Sequence, residues 1–351
     1  MFDNFYGNPD VVQTLAGMID GDRIHQTILL SGPSGIGKAT LARRFGAALL
    51  GDMFHPAGPL IEQDDLSSDA NQAMLAEREK LPADKRADDP LMLSSHSDFM
   101  TFPPDGPLRQ ISIQQIRLLR ERAQFRPLKG AWRVILIDQI DRANEQAANS
   151  LLKILEEPPS YLIIIMTADN PYDLLPTIRS RAISFPFKRL GVDEMRLFLR
   201  DRKLQDPERR IRLANGCPGA AVSLDLESYD KRRDSMIRLL EAGAGRGEFG
   251  EWARHAESIS MRKTEKLEDY LDVLYLLLED LLLVHQGRHS AELLNPDLEG
   301  KLRALAQFTS FEWIRNAVLK VDEVVHLLRR NIQKSIALDA LVMNLRSGIR
   351  A

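Results

Sequence analysis

Residues 31–40 have the sequence SGPSGIGKAT, with the apolar run TILL (27–30) before it and the helix-favouring run LARRF (41–45) after it. This order predicts a strand, then a glycine-rich loop, then a helix. A loop with the pattern G-x-x-x-x-G-K in that context is typical of a phosphate-binding site.

The residue types in this loop explain the prediction. Gly32, Gly35 and Gly37 let the backbone turn tightly, so that successive N–H groups can face a phosphate. The start of the following helix adds partial positive charge at the same place. Lys38 would supply a full charge for the β- and γ-phosphates of a nucleotide. The alternative is a glycine-rich turn with a solvated lysine.

Two positions lack groups that nucleotide hydrolysis needs. The residue after the loop lysine should carry a hydroxyl for Mg²⁺, but it is Ala39, and Thr40 lies about 100° further round a helix. The second position follows the apolar run at 132–138, which predicts a buried strand that delivers Asp138 to the metal of a nucleotide. The next residue is Gln139, which cannot act as a base at neutral pH.

The composition excludes several classes of protein. The 351 residues carry a formal net charge of -3, so the whole chain has no general footprint for nucleic acid. The single cysteine, Cys217, excludes a disulfide framework within the chain and a cysteine-based zinc cluster. The first residues have no signal-peptide pattern, and no run approaches the roughly 20 apolar residues of a membrane span. We therefore expect a cytoplasmic protein without membrane contact.

The pattern changes along the chain. Strand and helix patterns alternate in 1–188, which predicts a parallel α/β domain, with a polar, irregular insertion at about 51–97. After residue 188 the patterns are helical. We expect a small helical lid domain at 189–242 and, after the glycine-rich residues 242–247, a helical domain at 243–351.

Four ordered motifs show what this architecture resembles. They are AANSLLKILEEPP (147–159), LPTIRSR (175–181), GCPG (216–219) and the helical pattern at 331–345. Together with the phosphate loop, they resemble the clamp-loader family of AAA+ proteins. The resemblance implies a P-loop domain with a RecA-like parallel sheet, a helical lid, and a C-terminal helical collar that assembles subunits into a ring.

The resemblance also implies roles for particular residues. Arg181 is similar to the arginine that reaches across a subunit boundary to the γ-phosphate of a neighbouring ATPase, as an arginine finger. The alternative is that Arg181 pairs with a local carboxylate. Thr167 is the best match to a residue that senses the γ-phosphate. Ala220 and Ala221 stand where active members have a lid arginine, which favours a subunit that does not hydrolyse ATP itself.

The implied ligands and partners follow from the same resemblance. ATP or ADP, with Mg²⁺, would bind at Gly32, Gly35, Gly37, Lys38, Thr40, Asp138 and Thr167. No zinc is expected, because residues 50–100 lack the four cysteines that many members have there. The partners would be the tau/gamma ATPase subunits and the delta subunit of the loader, with the sliding clamp and primer-template DNA contacted through the complex.

Two other hypotheses remain open. An autonomous AAA+ ATPase acting on DNA would need a Mg²⁺-binding hydroxyl, a glutamate after Asp138 and a lid arginine. A small-molecule P-loop kinase would need a substrate lid and no leucine-rich collar. ATP turnover by the lone protein would support the first, and phosphate transfer to a metabolite would support the second.

Overall fold

The structure is a computed structural model, and it describes residues 2, 4–52, 59–261, 265–328 and 333–347. The chain divides into two compact units, Met1–Ser223 and Leu224–Ala351. The first unit contains the sheet, and the described part of the second unit is helical. The three-domain division with boundaries after residues 188 and 242 stays a prediction.

Six strands form one sheet in the first unit. They are β1 (Thr27–Ser31), β2 (Leu93–His96), β3 (Phe99–Phe102), β4 (Arg133–Ile137), β5 (Leu162–Ala168) and β6 (Ile183–Pro186). Their order across the sheet is β2-β3-β4-β5-β1-β6. All neighbours pair in parallel except β2 and β3.

The sheet confirms the predicted parallel α/β domain. Strands β1, β4 and β5 are buried along their whole length, as aliphatic runs without alternation require. β5 lies between β1 and β4. The strand that leads into the phosphate loop and the strand that leads to Asp138 are therefore separated by one strand, which is the arrangement of a RecA-like sheet.

Helices cover both faces of this sheet. The helices of the first unit are α1 (Pro9–Asp20), α2 (Lys38–Leu50), α3 (Asp69–Glu79), α4 (Ala83–Asp88), α5 (Ile113–Ala123), α6 (Glu145–Glu156), α7 (Pro176–Arg179), α8 (Val192–Asp201), α9 (Pro207–Ala214) and α10 (Pro218–Ser223). One core packs α1, α2 and α8 against Ile28 and Leu30, and the other packs α5 and α6 against Leu29. Ser112 and Gln115 form a capping box at the start of α5.

The insertion after α2 is attached to the domain by buried groups. Ile61 and Asp64 are almost fully buried. Arg43 of α2, also buried, forms ion pairs with Asp65 at 3.1 Å and with Glu62 at 3.6 Å. The polar composition of residues 51–97 predicts a mobile surface stretch, but it does not show these anchors. Residues 53–58 lie outside the described residues.

The second unit is built from long helices. They are α11 (Leu226–Gly243), α12 (Phe249–Ser260), α13 (Leu267–His285), α14 (Glu299–Ala306), α15 (Phe311–Leu328) and α16 (Lys334–Ser347). The helical pattern identified at 331–345 overlaps α16, and residues 329–332 lie outside the described residues. Within the described ranges, no helix is long and apolar enough to cross a membrane.

Candidate phosphate-binding site and a surface arginine

The predicted phosphate loop connects β1 to α2. Gly32, Gly35 and Gly37 have φ values of 144°, 73° and 103°. Such positive φ values are costly for residues with a Cβ atom, so the three glycines are required by the shape of the backbone. Gly37 caps α2, and the helix begins at Lys38. The strand, loop and helix predicted from the sequence are therefore present.

The ammonium group of Lys38 is fully engaged by the protein itself. Its Nζ lies 2.5 Å from the carbonyl oxygen of Gly32, 2.9 Å from that of Pro33 and 2.8 Å from Oδ1 of Asp169. The residue is only 6% exposed. Since an ammonium group has three donors, each of them has an acceptor here. Lys38 contacts its own loop and a carboxylate in the place where a phosphate would be expected.

Asp138 follows β4 and contacts β5. The hydroxyl of Thr167 donates to Oδ1 of Asp138 at 2.5 Å, and the N–H of Gln139 donates to that hydroxyl at 2.8 Å. Burial raises the pKa of Asp138, against the lowering effects of Thr167 and of the nearby charges of Arg43 and Lys38. Asp138 and Thr167 thus form one buried hydrogen-bonded pair, and the sensing role of Thr167 stays a prediction.

Two further acidic residues lie beside this group, of which sequence reasoning missed Asp169. Asp169 directly follows β5 and binds Lys38. Its N–H donates to Oδ2 of Asp141 at 3.2 Å. Burial, together with the charge of Asp169, raises the pKa of Asp141. Asp169 could have been found from its position directly after β5. The carboxyl ends of the parallel strands β5 and β1 meet at one edge of the sheet, so a residue that follows β5 can lie beside the loop that follows β1.

The loop is enclosed by other parts of the same unit. The N–H of Gly219, in α10, donates to the carbonyl oxygen of Gly35 at 2.7 Å. A Cβ atom at Gly35 would lie 2.8 Å from the backbone nitrogen of Ala220. A Cβ at Gly32 would lie 2.8 Å from the carbonyl oxygen of Phe187. The GCPG motif that the sequence assigns to a lid therefore contacts the phosphate loop directly.

The residues present fit a phosphate better than a nucleotide-bound metal. A glycine loop at a helix N-terminus suits an anion, but position 39, next to Lys38, lacks the hydroxyl that holds Mg²⁺. Thr40 and Ala39 are both half-buried in α2. Among the described residues, no group of three or more His, Cys, Asp or Glu side chains is placed to hold a metal ion. Cys217 is buried, and burial raises the pKa of its thiol.

Arg181 lies just after α7. Its Nη2 is 2.8 Å from Oε1 of Glu156, and its Nη1 donates to the carbonyl oxygen of Thr177 at 2.9 Å. The arginine side chain is 33% exposed and the glutamate side chain is 51% exposed. The local ion pair considered from the sequence is thus present in the single chain. Arg179 has a different environment, with its guanidinium 5.2 Å from the centre of the Tyr172 ring.

The fold and the site define the class of the protein, which is a P-loop protein with a RecA-like AAA+ sheet. A family model described as "DNA polymerase III, delta subunit" matches residues 7–191. This match covers more than half of the chain and includes both the phosphate loop and Arg181, so the chain belongs to that family.

Curated relatives carry names from the same system. The chain is 27% identical over 258 residues to "DNA polymerase III subunit delta'" of Bacillus subtilis, covering 72% of this chain and 77% of that protein. It is 27% identical over 230 residues to the delta' subunit of Pseudomonas aeruginosa, covering 64% of this chain and 63% of that protein. It is 30% identical over 201 residues to "DNA polymerase III subunit gamma/tau" of Mycobacterium tuberculosis, covering 56% of this chain. The chain spans 30% of the length of that gamma/tau protein.

Among solved structures, a DNA polymerase III gamma subunit-related protein from Thermotoga maritima is similar, with 18% identity and a TM-score of 0.45. The alignment covers 96% of this chain and 99% of the other.

Proposed function

We propose that this chain is the delta' subunit of a DNA polymerase III clamp loader and acts in DNA replication. The observation that carries the proposal is the family match over residues 7–191. The similarity to the delta' subunit of Bacillus subtilis over 77% of that protein supports the same assignment. In this role the chain is a component of the polymerase holoenzyme and contributes to loading the sliding clamp on primed DNA.

The chain does not hydrolyse ATP in this proposal. Ala39 and Gln139 replace the metal-binding hydroxyl and the water-orienting acid, and Lys38 is held by Asp169 at 2.8 Å. Without a bound metal ion and an available loop lysine, the charge that develops in phosphoryl transfer is not neutralised, and without the acid the attacking water is not activated. ATP or ADP, with or without Mg²⁺, would be a bound ligand at most.

The chemical contribution of the chain is Arg181, supplied to a neighbouring ATPase subunit. A guanidinium is permanently charged and offers a planar fork of donors to a phosphate. Such a finger is worth about 10³–10⁵ in the turnover of nucleotide hydrolases. Arg181 suits this task because its side chain is partly exposed and its ionic partner, Glu156, is at the surface.

The helical unit would hold the assembly together. Between α15 and α16 lies a groove of about 220 Å³, lined partly by Val324, Leu327 and Ile336. Ile336 is 59% exposed and Met343 is 62% exposed. Exposed apolar groups of this kind mark contact surfaces, and the partners in this proposal are tau/gamma ATPase subunits and the delta subunit.

Reconstitution tests the proposal. The loader is assembled from the tau/gamma and delta subunits of the same source, with and without this chain, and ATP turnover is measured with clamp and primed DNA. We expect the chain to co-purify with the other subunits, to raise turnover of the complex, and to show no turnover alone. Robust turnover by the lone chain, or no effect on the complex, would contradict the proposal and favour an autonomous ATPase.

A further inference from the structure

Lys38 of the phosphate loop forms a short ion pair with Asp169. Nζ of Lys38 and Oδ1 of Asp169 are 2.8 Å apart, with the lysine side chain 6% exposed and the aspartate side chain 31% exposed. A buried ammonium without a counter-charge is strongly unfavourable. Asp169 therefore supplies the negative charge that makes burial of Lys38 tolerable.

Asp169 is held in this position by its backbone. The preceding residue, Ala168, accepts a hydrogen bond from the N–H of Gly32 at 3.1 Å, which joins the end of β5 to the start of the loop. The N–H of Asp169 itself donates to Asp141 at 3.2 Å. The carboxylate of Asp169 is thus presented to the lysine from the neighbouring strand end.

We propose that Asp169 is an internal counter-anion that competes with phosphate for Lys38 and keeps the phosphate loop closed to nucleotides. A phosphoryl group that reached Lys38 would place its negative charge within a few ångströms of Asp169, and like charges at that distance repel. Binding would require the Lys38–Asp169 ion pair to separate. This inference concerns the chain alone and does not depend on its assembly into a loader.

The contact between α10 and the phosphate loop also opposes nucleotide binding. The carbonyl oxygen of Gly35 is already bound by the N–H of Gly219 at 2.7 Å, and the backbone of Ala220 lies against Gly35. A ligand that reshaped the loop would have to break this hydrogen bond as well. The closed loop is therefore stabilised by the ion pair with Asp169 and by the backbone contact with α10, among other contacts.

The test replaces Asp169 with its neutral isostere. Asp169→Asn is compared with wild type and with Asp173→Asn, which removes an exposed carboxylate from the same connection without touching Lys38. Thermal melting and equilibrium binding are measured with inorganic pyrophosphate and with ADP. We expect Asp169→Asn to melt at a lower temperature than wild type without added anion. We also expect it to bind ADP at least tenfold more tightly and to be stabilised by pyrophosphate.

A second variant links the effect to Lys38. The double variant Asp169→Asn/Lys38→Met removes both charges, so we expect it to melt near the wild-type temperature and to show no response to pyrophosphate. If Asp169→Asn is too unstable to purify alone, it is refolded in pyrophosphate, and failure of pyrophosphate to restore the fold would overturn the proposal. Equal ADP affinity in wild type, Asp169→Asn and Asp173→Asn would also overturn it.

Discussion

Arg181 and Glu156 form an ion pair in the single chain, with Nη2 and Oε1 2.8 Å apart, although the two residues are 25 positions apart in the sequence. The glutamate belongs to the EEPP end of α6, and the arginine follows α7. A second contact, from Nη1 to the carbonyl oxygen of Thr177, fixes the direction of the guanidinium. Two of the motifs identified in the sequence are thus connected by one contact on the surface.

The first prediction concerns Glu156 as a positioning residue for Arg181. Glu156→Ala leaves the guanidinium with its contacts to Thr177 and Ser180, so more side-chain freedom is lost when it binds a phosphate. We expect turnover of the reconstituted loader to fall about threefold to tenfold, with partial recovery in Glu156→Gln. Because the pair is partly exposed, the free energy of unfolding of the chain should change by less than about 1 kcal/mol.

Glu157→Ala is the matched control for this prediction, since it removes the adjacent, exposed carboxylate of the same motif. Turnover with Glu157→Ala should stay within about twofold of wild type, which is about 0.4 kcal/mol of barrier. A loader with Glu156→Ala that is as fast as wild type would show that Glu156 does not position the arginine.

The second prediction concerns the pH dependence of stability at Asp138. Burial raises the pKa of this carboxyl in the folded protein, whereas its pKa in the unfolded chain is about 3.9. Its contribution to stability is therefore fully present below the unfolded pKa and is lost as pH rises through the folded pKa. Asp138→Asn keeps an acceptor for Thr167 but cannot ionise.

We therefore expect Asp138→Asn to melt at a higher temperature than wild type at pH 8. The difference should shrink as the pH falls through the folded-state pKa of Asp138 towards the unfolded value. Thermal melting of both proteins across that range measures it. Parallel curves for the two proteins would mean that Asp138 has no raised pKa.

The third prediction concerns Gly35→Ala. The cost of its backbone conformation and the cost of crowding against α10 can be measured separately. Gly35 has a φ of 73°, and an added Cβ would meet the backbone nitrogen of Ala220 at 2.8 Å. Gly130 has a similar φ of 81°, and nothing lies within 4 Å of its added Cβ. Gly130→Ala should cost about 1–2 kcal/mol of unfolding free energy from the backbone conformation alone. Gly35→Ala should cost about 1–3 kcal/mol more from crowding.

Chemical denaturation of the two alanine variants gives the comparison. Equal losses would mean that α10 does not press against the phosphate loop in solution. A larger loss at Gly35 would support the enclosed loop that the Gly219–Gly35 hydrogen bond indicates.

The local parts of the fold could be predicted from the sequence, because they depend on neighbouring residues. The spacing of Gly32, Gly35 and Gly37 specifies the loop, and the capping box of Ser112 specifies the start of α5. Aliphatic runs marked β1, β4 and β5 because both faces of these strands are buried. The parallel direction of the strands could be predicted in the same way, since parallel strands need long crossover connections, usually helices.

The partners of the site residues could not be predicted, because they come from distant positions. Asp169 reaches Lys38 across 131 positions, and Gly219 reaches Gly35 from beyond the sheet. The charge of Lys38 indicated that an anion would be bound, but not that the chain itself supplies one. The polar composition of 51–97 likewise concealed the buried Ile61 and Asp64.

The most direct test of the account is ATP turnover of the reconstituted loader with Arg181→Ala, stimulated by clamp and primed DNA. Arg200→Ala, which removes an arginine with a 75% exposed side chain from α8, is the control, and both complexes must first show normal assembly. We predict at least a tenfold loss with Arg181→Ala, about 1.4 kcal/mol or more of barrier, and no loss with Arg200→Ala. Unchanged turnover with Arg181→Ala in an intact complex would contradict the supply of an arginine finger by this chain.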